Sequence, residues 1–205
     1  PRPETEILVD EVLAWAKARG RDDLTALDVG VGSGAIALSL LLEGPFPRVV
    51  AVDASPEALA AADENARALG LRERLDLREG PLFSSVAPGE SFDVVVSNPP
   101  YVAEAEAATL EPEVGVWEPS GALFAGPDGL AVLRALVAGG GARLAAGGLL
   151  ALEVGAGQAG LVVADIEAAG AYDDVRVRRD LAGRERVVLA RRAGVRCVAT
   201  NNVHF

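Results

Sequence analysis

The sequence has no methionine, a single cysteine (Cys197), a single histidine (His204) and a single lysine (Lys17). One cysteine cannot close an internal disulfide, which fits a reducing compartment. His204 lies beside the terminus and is assigned no role, as is Cys197, and no metal site is expected. No apolar run long enough to cross a bilayer is free of charge, so no membrane helix is expected. No cationic, apolar leader is visible, and a cytoplasmic location is expected. With no methionine, the chain begins abruptly at Pro1, and an upstream segment is expected to be missing. Positive charge is also scarce. The net charge is −11, the wrong sign for a protein that tracks a nucleic-acid polyanion. The arginines at 176, 178, 179, 184, 186, 191 and 192 alternate with apolar residues and read as a solvated strand face. The acidic balance favours a small-molecule or basic protein substrate, and a monomer is expected.

What is present is enough for one well-buried domain: 205 residues, 50% of them hydrophobic. After a polar lead-in, Pro1-Arg2-Pro3-Glu4-Thr5-Glu6, the residues Ile7, Leu8, Val12, Leu13 and Trp15 recur at helical spacing up to a C-capping Gly20. Strands are read over 24–29, 49–52, 75–78 and 92–97, and helices over 35–42 and 55–69. Ser55 reads as the N-cap of the latter helix, with Pro56 at its first position. Residues 103–126 contain the breakers Glu111-Pro112, Glu118-Pro119 and Gly126-Pro127 and read as an irregular lid or binding loop. A helix over 128–144 follows, weakened at its end by Gly139-Gly140-Gly141. A strand over 148–154, a helix over 158–169 and strands over 172–178 and 185–190 complete the pattern. This alternation predicts an α/β fold, a doubly wound and mostly parallel sheet of seven strands. The link from Arg179 to Arg184 is too short for a crossover helix, so the last two strands should form an antiparallel hairpin. Residues 195–205 fit none of this.

Two stretches carry chemistry. Asn98-Pro99-Pro100-Tyr101 follows the β-branched run Val94-Val95-Val96-Ser97. The prolines stop the strand and stiffen a turn at its carboxyl end, where ligands bind in open α/β sheets. The side-chain oxygen of Asn98 and the carbonyl of Pro99 both accept hydrogen bonds, which suits a substrate –NH₂ with two protons. The ring of Tyr101 can flank a flat substrate. The other stretch is Asp28-Val29-Gly30-Val31-Gly32-Ser33-Gly34, between a strand and a helix. Glycines permit tight turns and close approach of a ligand. The spacing is not the dinucleotide pattern, and no phosphate-loop lysine follows. Asp28 disfavours a diphosphate and favours a cation, and Asp53 ends the next strand, where an acid binds ribose hydroxyls. An adenosine-bearing cation such as S-adenosylmethionine fits all three features.

These stretches, with Pro1-Arg2-Pro3-Glu4-Thr5-Glu6 and the segment from Glu118-Pro119 through Ala122-Leu123 to Gly129-Leu130, resemble the S-adenosylmethionine-dependent methyltransferases of the Rossmann-like, seven-strand fold. Within them, the chain is similar to the release-factor glutamine methyltransferases. The resemblance implies a catalytic domain over 1–192 and a tail over 193–205 without a family counterpart. It also implies that the family's N-terminal helical, substrate-recruiting domain is absent from this chain. The implied reaction is methyl transfer to the side-chain amide nitrogen of the glutamine in the Gly-Gly-Gln loop of a peptide-chain release factor. By position, Gly30, Val31, Gly32, Ser33 and Gly34 would cradle the methionine part beside Asp28. Asp53 with Ala54 would hold the ribose. Asn98 and Pro99 would bind the glutamine amide, with Asn98 also bordering the cofactor. Pro100 and Tyr101 would shape the pocket, and Arg2, Glu4 and Thr5 would line its mouth. Near the adenine, the family has an acid and then an aromatic, where this chain has Pro81 and Leu82, then Phe83.

No histidine, cysteine or lysine stands near Asn98 in the sequence, so catalysis by positioning is expected. An amino methyltransferase acting on adenine or guanine, a glutamine methyltransferase of a ribosomal protein, and a binding module without catalysis stay open as alternatives.

Overall fold

A computed structural model describes residues 3–99 and 129–194. The predicted loop over 103–126, Pro100, Tyr101, Arg2 and residues 195–205 lie outside these. Among the described residues, seven strands form one sheet: Thr25–Val29 (β1), Arg48–Asp53 (β2), Leu75–Glu79 (β3), Phe92–Ser97 (β4), Leu144–Glu153 (β5), Tyr172–Arg179 (β6) and Glu185–Arg192 (β7). Their order is β3-β2-β1-β4-β5-β7-β6. β7 runs antiparallel to both β5 and β6, and the remaining pairs are parallel. The doubly wound α/β sheet and its terminal hairpin are as predicted.

The helices Pro3–Ala18 (α1), Ala35–Glu43 (α2) and Pro56–Ala68 (α3) cover one face, and Ala131–Arg143 (α4) and Ala159–Ala169 (α5) cover the other. Successive strand residues therefore feed two cores. Ala26, Val49, Ala51, Val94 and Val96 pack with α1–α3. Leu27, Val50, Val52, Val95, Leu150 and Leu152 pack with α4 and α5. Burial on both faces explains why these strands read as continuous apolar runs rather than alternating ones.

Local signals account for most boundaries. The hydroxyl of Ser55 accepts from the Ala58 amide at 3.1 Å, capping α3. Gly20 takes φ 63° after α1. The lead-in Pro3-Glu4-Thr5-Glu6 is itself helical, contrary to the sequence reading. Proline at a first helical position gives up no intrahelical bond, and the acids of the first turn complement the helix dipole.

Two glycine clusters were misleading. β5 begins at Leu144 rather than Gly148, because Gly147 and Gly148 form an irregularity opposite Asp93 rather than an end. A Cβ on Gly148 would lie 2.8 Å from the Asp93 carbonyl. Gly139-Gly140-Gly141 lie within α4 and do not fray it. They make room: a Cβ on Gly139 would lie 2.7 Å from the ring of Phe83, and one on Gly140 would lie 3.1 Å from the Tyr172 hydroxyl. That hydroxyl donates to the Val137 carbonyl at 2.7 Å.

The arginines of the hairpin sit among acids. Arg176 pairs with Asp174, Arg178 with Glu11, Arg179 with Glu185 and Arg191 with Asp173. Exposed pairs of this kind add about 0–1 kcal/mol each, so they shape the surface charge more than the stability. No helix among the described residues is long and apolar enough to cross a membrane.

Gly139→Ala tests the packing of α4. Helix propensity alone would add about 1 kcal/mol, but the clash with Phe83 should reverse this, for a net loss of roughly 1–2 kcal/mol. Urea unfolding checks the sign, and Phe83→Leu in the same background should recover most of the loss. A Gly139→Ala protein more stable than the parent would mean that the ring simply moves aside.

Candidate active site

The strand order reverses between β1 and β4. From β1 the chain winds outward through β2 to β3, and from β4 it winds the other way through β5. The crevice at the carboxyl ends of two such strands is where open α/β sheets hold ligands. Register sets who meets there. Val29 pairs with Val52, so Gly30 and Asp53 follow side by side. Ser97 pairs with Leu152, so Asn98 emerges beside Glu153. The hydroxyl of Ser97 donates to the Val29 carbonyl at 2.6 Å, tying the ends of β4 and β1 together.

The glycine loop is built for close approach. Gly30, Gly32 and Gly34 have φ 78°, 54° and 86°, values that side-chain-bearing residues rarely adopt. A Cβ on Gly30 or Gly32 would meet nothing within 4 Å. At these positions the open space lies beside bare backbone, as a ligand cradle requires. A Cβ on Gly34 would instead press on Leu38 and Ala62, so this glycine serves the packing of α2 on α3. The amides of Gly30 and Val31 are spent on the Val52 carbonyl at 2.8 and 3.0 Å. Val31 is buried. Ser33 is exposed, and its carbonyl accepts from the Asn65 side chain at 2.9 Å.

Asp53 is half-buried and braces the loop. One carboxyl oxygen accepts from the Gly32 amide and the other from the Ser55 amide, each at 2.9 Å. A carboxylate has further lone pairs, so a ribose diol beside the loop fits it. Ala54, next along, is exposed. Leu82, after β3, is half-buried with φ 51°, a conformation that costs a branched side chain of order 1–3 kcal/mol. Phe83 turns away to pack on α4.

On the β4 side, Asn98 is half-buried and Pro99 buried. The Asn98 amide nitrogen donates to the Thr5 hydroxyl at 3.1 Å. Thr5 is 5% exposed and donates in turn to a carboxyl oxygen of Glu153 at 2.9 Å. Thr5 therefore stands behind Asn98 rather than at an open mouth, as the resemblance had implied. Glu4 is drawn aside by Arg186 at 3.6 Å. Glu153 was missed. It is 1% exposed and closes the apolar run Leu149-Leu150-Ala151-Leu152. Like Asp53 it is an acid at a strand end, but no glycine loop stands beside it in the sequence to draw notice to it. The remaining expected contacts, at Arg2, Pro100 and Tyr101, lie outside the described residues.

Asp28 departs from expectation. It is fully buried, and one of its oxygens accepts from the Ala37 amide at 3.1 Å under the first turn of α2. The other oxygen has no partner. Burial pushes the carboxyl up to about 8; the Ala37 amide pulls the other way, and the Asp53 charge adds a further push. At neutral pH it is largely uncharged, so it does not supply the cation-attracting field expected of it. In the unfolded chain it titrates near 4. Its contribution to stability is therefore present at low pH and lost as pH rises toward about 8. Asp28→Asn keeps an acceptor for Ala37 and cannot ionise. Between about pH 5 and 7.5, the parent should lose stability relative to Asp28→Asn by roughly 1 kcal/mol per pH unit, measured by urea unfolding. Parallel pH profiles would mean that the carboxyl is ionised in the folded chain.

Comparison with known proteins bears on the family and the fold. A release factor glutamine methyltransferase of Cereibacter sphaeroides is 49% identical over 191 residues, covering 93% of this chain and 66% of that protein. One of Caulobacter vibrioides is 47% identical over 190 residues, covering 92% and 64%. The chain thus spans just under two thirds of the length of these relatives. Among solved structures, the Thermus thermophilus 16S rRNA N2 G1207 methyltransferase, in complex with AdoMet and guanosine, superposes with a TM-score of 0.66 at 20% identity. That match covers 94% of this chain and 43% of the other and speaks for the fold alone. Residues 5–112 match the methyltransferase small domain, and the chain belongs to that family.

Proposed function

We propose that this chain binds S-adenosylmethionine and methylates the side-chain amide nitrogen of the glutamine in the Gly-Gly-Gln motif of a peptide-chain release factor. The observation that carries the reading is that β4, paired in parallel with β1, runs out into Asn98-Pro99, whose oxygens can accept hydrogen bonds, at the edge where β1 runs out into the glycine loop. The names of the relatives at 49% and 47% identity support the choice of substrate.

Gly30 and Gly32 would lie against the methionine part of the cofactor, and Asp53 would accept from the ribose hydroxyls. Ala54 and Leu82 would border the adenosine. When bound, the cofactor supplies an electrophilic methyl group on a sulfonium. An amide nitrogen is a poor nucleophile, because its lone pair is delocalised into the carbonyl. Among the described residues there is no histidine or cysteine, and Lys17 lies in the last turn of α1. This supports catalysis by positioning. The Asn98 side-chain oxygen and the Pro99 carbonyl would each accept one amide proton. That fixes the plane of the –NH₂ group and turns its face toward the methyl group. The same two oxygens stabilise positive charge that develops on nitrogen, as an oxyanion hole stabilises the opposite charge. Methyl transfer would leave the amide nitrogen with a surplus proton, and the Asn98 oxygen and the Pro99 carbonyl would hold the two amide protons until one is given up to solvent.

Mass spectrometry after incubation with labelled cofactor tests the reading. Label should appear on the Gly-Gly-Gln glutamine of a release factor and not on a factor with that glutamine replaced; label on RNA alone would overturn the assignment. Asp53→Ala should weaken cofactor binding by roughly 1.5–3 kcal/mol, the scale of bonds to a charged group, as read by calorimetry. Asn98→Ala should lower kcat by roughly 10²–10³ with cofactor affinity unchanged. A folded Asn98→Ala protein turning over at about the parental rate would remove Asn98 from the chemistry.

A further inference from the structure

An amide side chain has a donor end and an acceptor end, and only the acceptor end of Asn98 is useful to a substrate –NH₂. We infer that Thr5 and Glu153 are positioning residues that hold the Asn98 amide in that orientation. The inference rests on the proposed role of Asn98 and goes beyond it, because Thr5 and Glu153 are buried behind Asn98.

The logic is one of proton counting. The Glu153 oxygen accepts at 2.9 Å from the Thr5 hydroxyl, which has one proton to give. With that proton directed at Glu153, the Thr5 oxygen turns a lone pair toward Asn98. It can then only accept from Asn98, and the 3.1 Å contact is to the amide nitrogen. The Asn98 oxygen is left facing away, and among the described residues no donor addresses it. A flipped amide would set two acceptors against each other at Thr5 and lose that bond. The inner link is also sealed. Thr5 is 5% exposed and Glu153 1%, so water does not compete for the bond between them, while the bond to Asn98 is partly buried. Three elements meet in the relay: the first turn of α1, the end of β4 and the end of β5.

Thr5→Val keeps the shape of the side chain and removes both bonds, whereas Thr5→Ser keeps the hydroxyl. In the full chain, Thr5→Val should lower kcat by roughly 10–100-fold, the loss found where partners that orient metal ligands from behind are removed. Cofactor affinity should stay at the parental value, and Thr5→Ser should restore kcat to within about threefold of the parent. Glu153→Gln no longer compels the hydroxyl proton to one side and should cost less, about threefold to tenfold. A merely structural role for Thr5 would lower the folded fraction without this selective loss of kcat. A second readout does not depend on the acceptor substrate. In the nitrogen-15 spectrum of the parent, one side-chain amide proton of Asn98, assigned by its absence in Asn98→Ala, should be shifted and protected from exchange. Thr5→Ser should preserve this signature, Thr5→Val abolish it and Glu153→Gln broaden it. Asn98 signals unchanged in Thr5→Val, or a folded Thr5→Val with parental kcat, would overturn the relay. If the parent transfers no methyl group to a release factor while the spectral signature behaves as expected, the relay stands and the substrate assignment fails.

Discussion

Polar side chains at the centre of this protein can stand only at the ends of its strands. The sheet is covered by helices on both faces, so a charged or amide group within β1, β2, β4 or β5 would be stranded in one core or the other. Asp53 and Glu153 are the last residues of their strands, Asn98 follows directly on its own, and Asp28 is the last but one. Parallel pairing then brings all four of these ends to the same edge of the sheet, and register decides which face one another. The site is thus a by-product of how the core must be buried, sharpened by glycines at one strand end and by proline at another.

That same constraint explains what could be read from the sequence. Apolar runs ending in an acid or an asparagine marked β1, β2 and β4 with their polar ends, and alternation with helical periods marked the winding. The antiparallel hairpin followed from the length of a single link. Glu153 went unread because its neighbours gave no motif around it. Its significance comes from Thr5, 148 residues away, a separation that local pattern does not bridge. Thr5 was noticed for the company it keeps near the start of the chain, and its burial against Asn98 depends on how α1 packs over β5.

Where the sequence reading went astray, the reason was glycine or solvation. Gly147-Gly148 and Gly139-Gly140-Gly141 look like breaks, because glycine is a poor strand and helix former. In the folded chain they are places where a carbonyl, a phenylalanine ring and a tyrosine hydroxyl come too close for a Cβ. Asp28 looks like a charge beside a loop, but it lies under α2 with one oxygen unpaired, and burial changes its protonation. Composition reveals neither, since each depends on what packs above the residue.

The two halves of the site differ in how far apart their parts lie along the chain. The loop side is assembled from near neighbours: Asp28 reaches Ala37 across 9 positions and Asp53 reaches Gly32 across 21. The amide side joins Asn98 to Thr5 across 93 positions and Thr5 to Glu153 across 148. Contacts between distant positions carry a larger closure entropy and are satisfied late. A chain released only as far as β3 already contains Gly30, Gly32 and Asp53, proposed above to hold the methyl donor, but neither Asn98 nor Glu153. The Thr5 contacts to Asn98 and Glu153 close only once β5 has packed against α1, so on the proposed reading the parts that bind the donor and the parts that aim the acceptor belong to different stages of the chain's assembly.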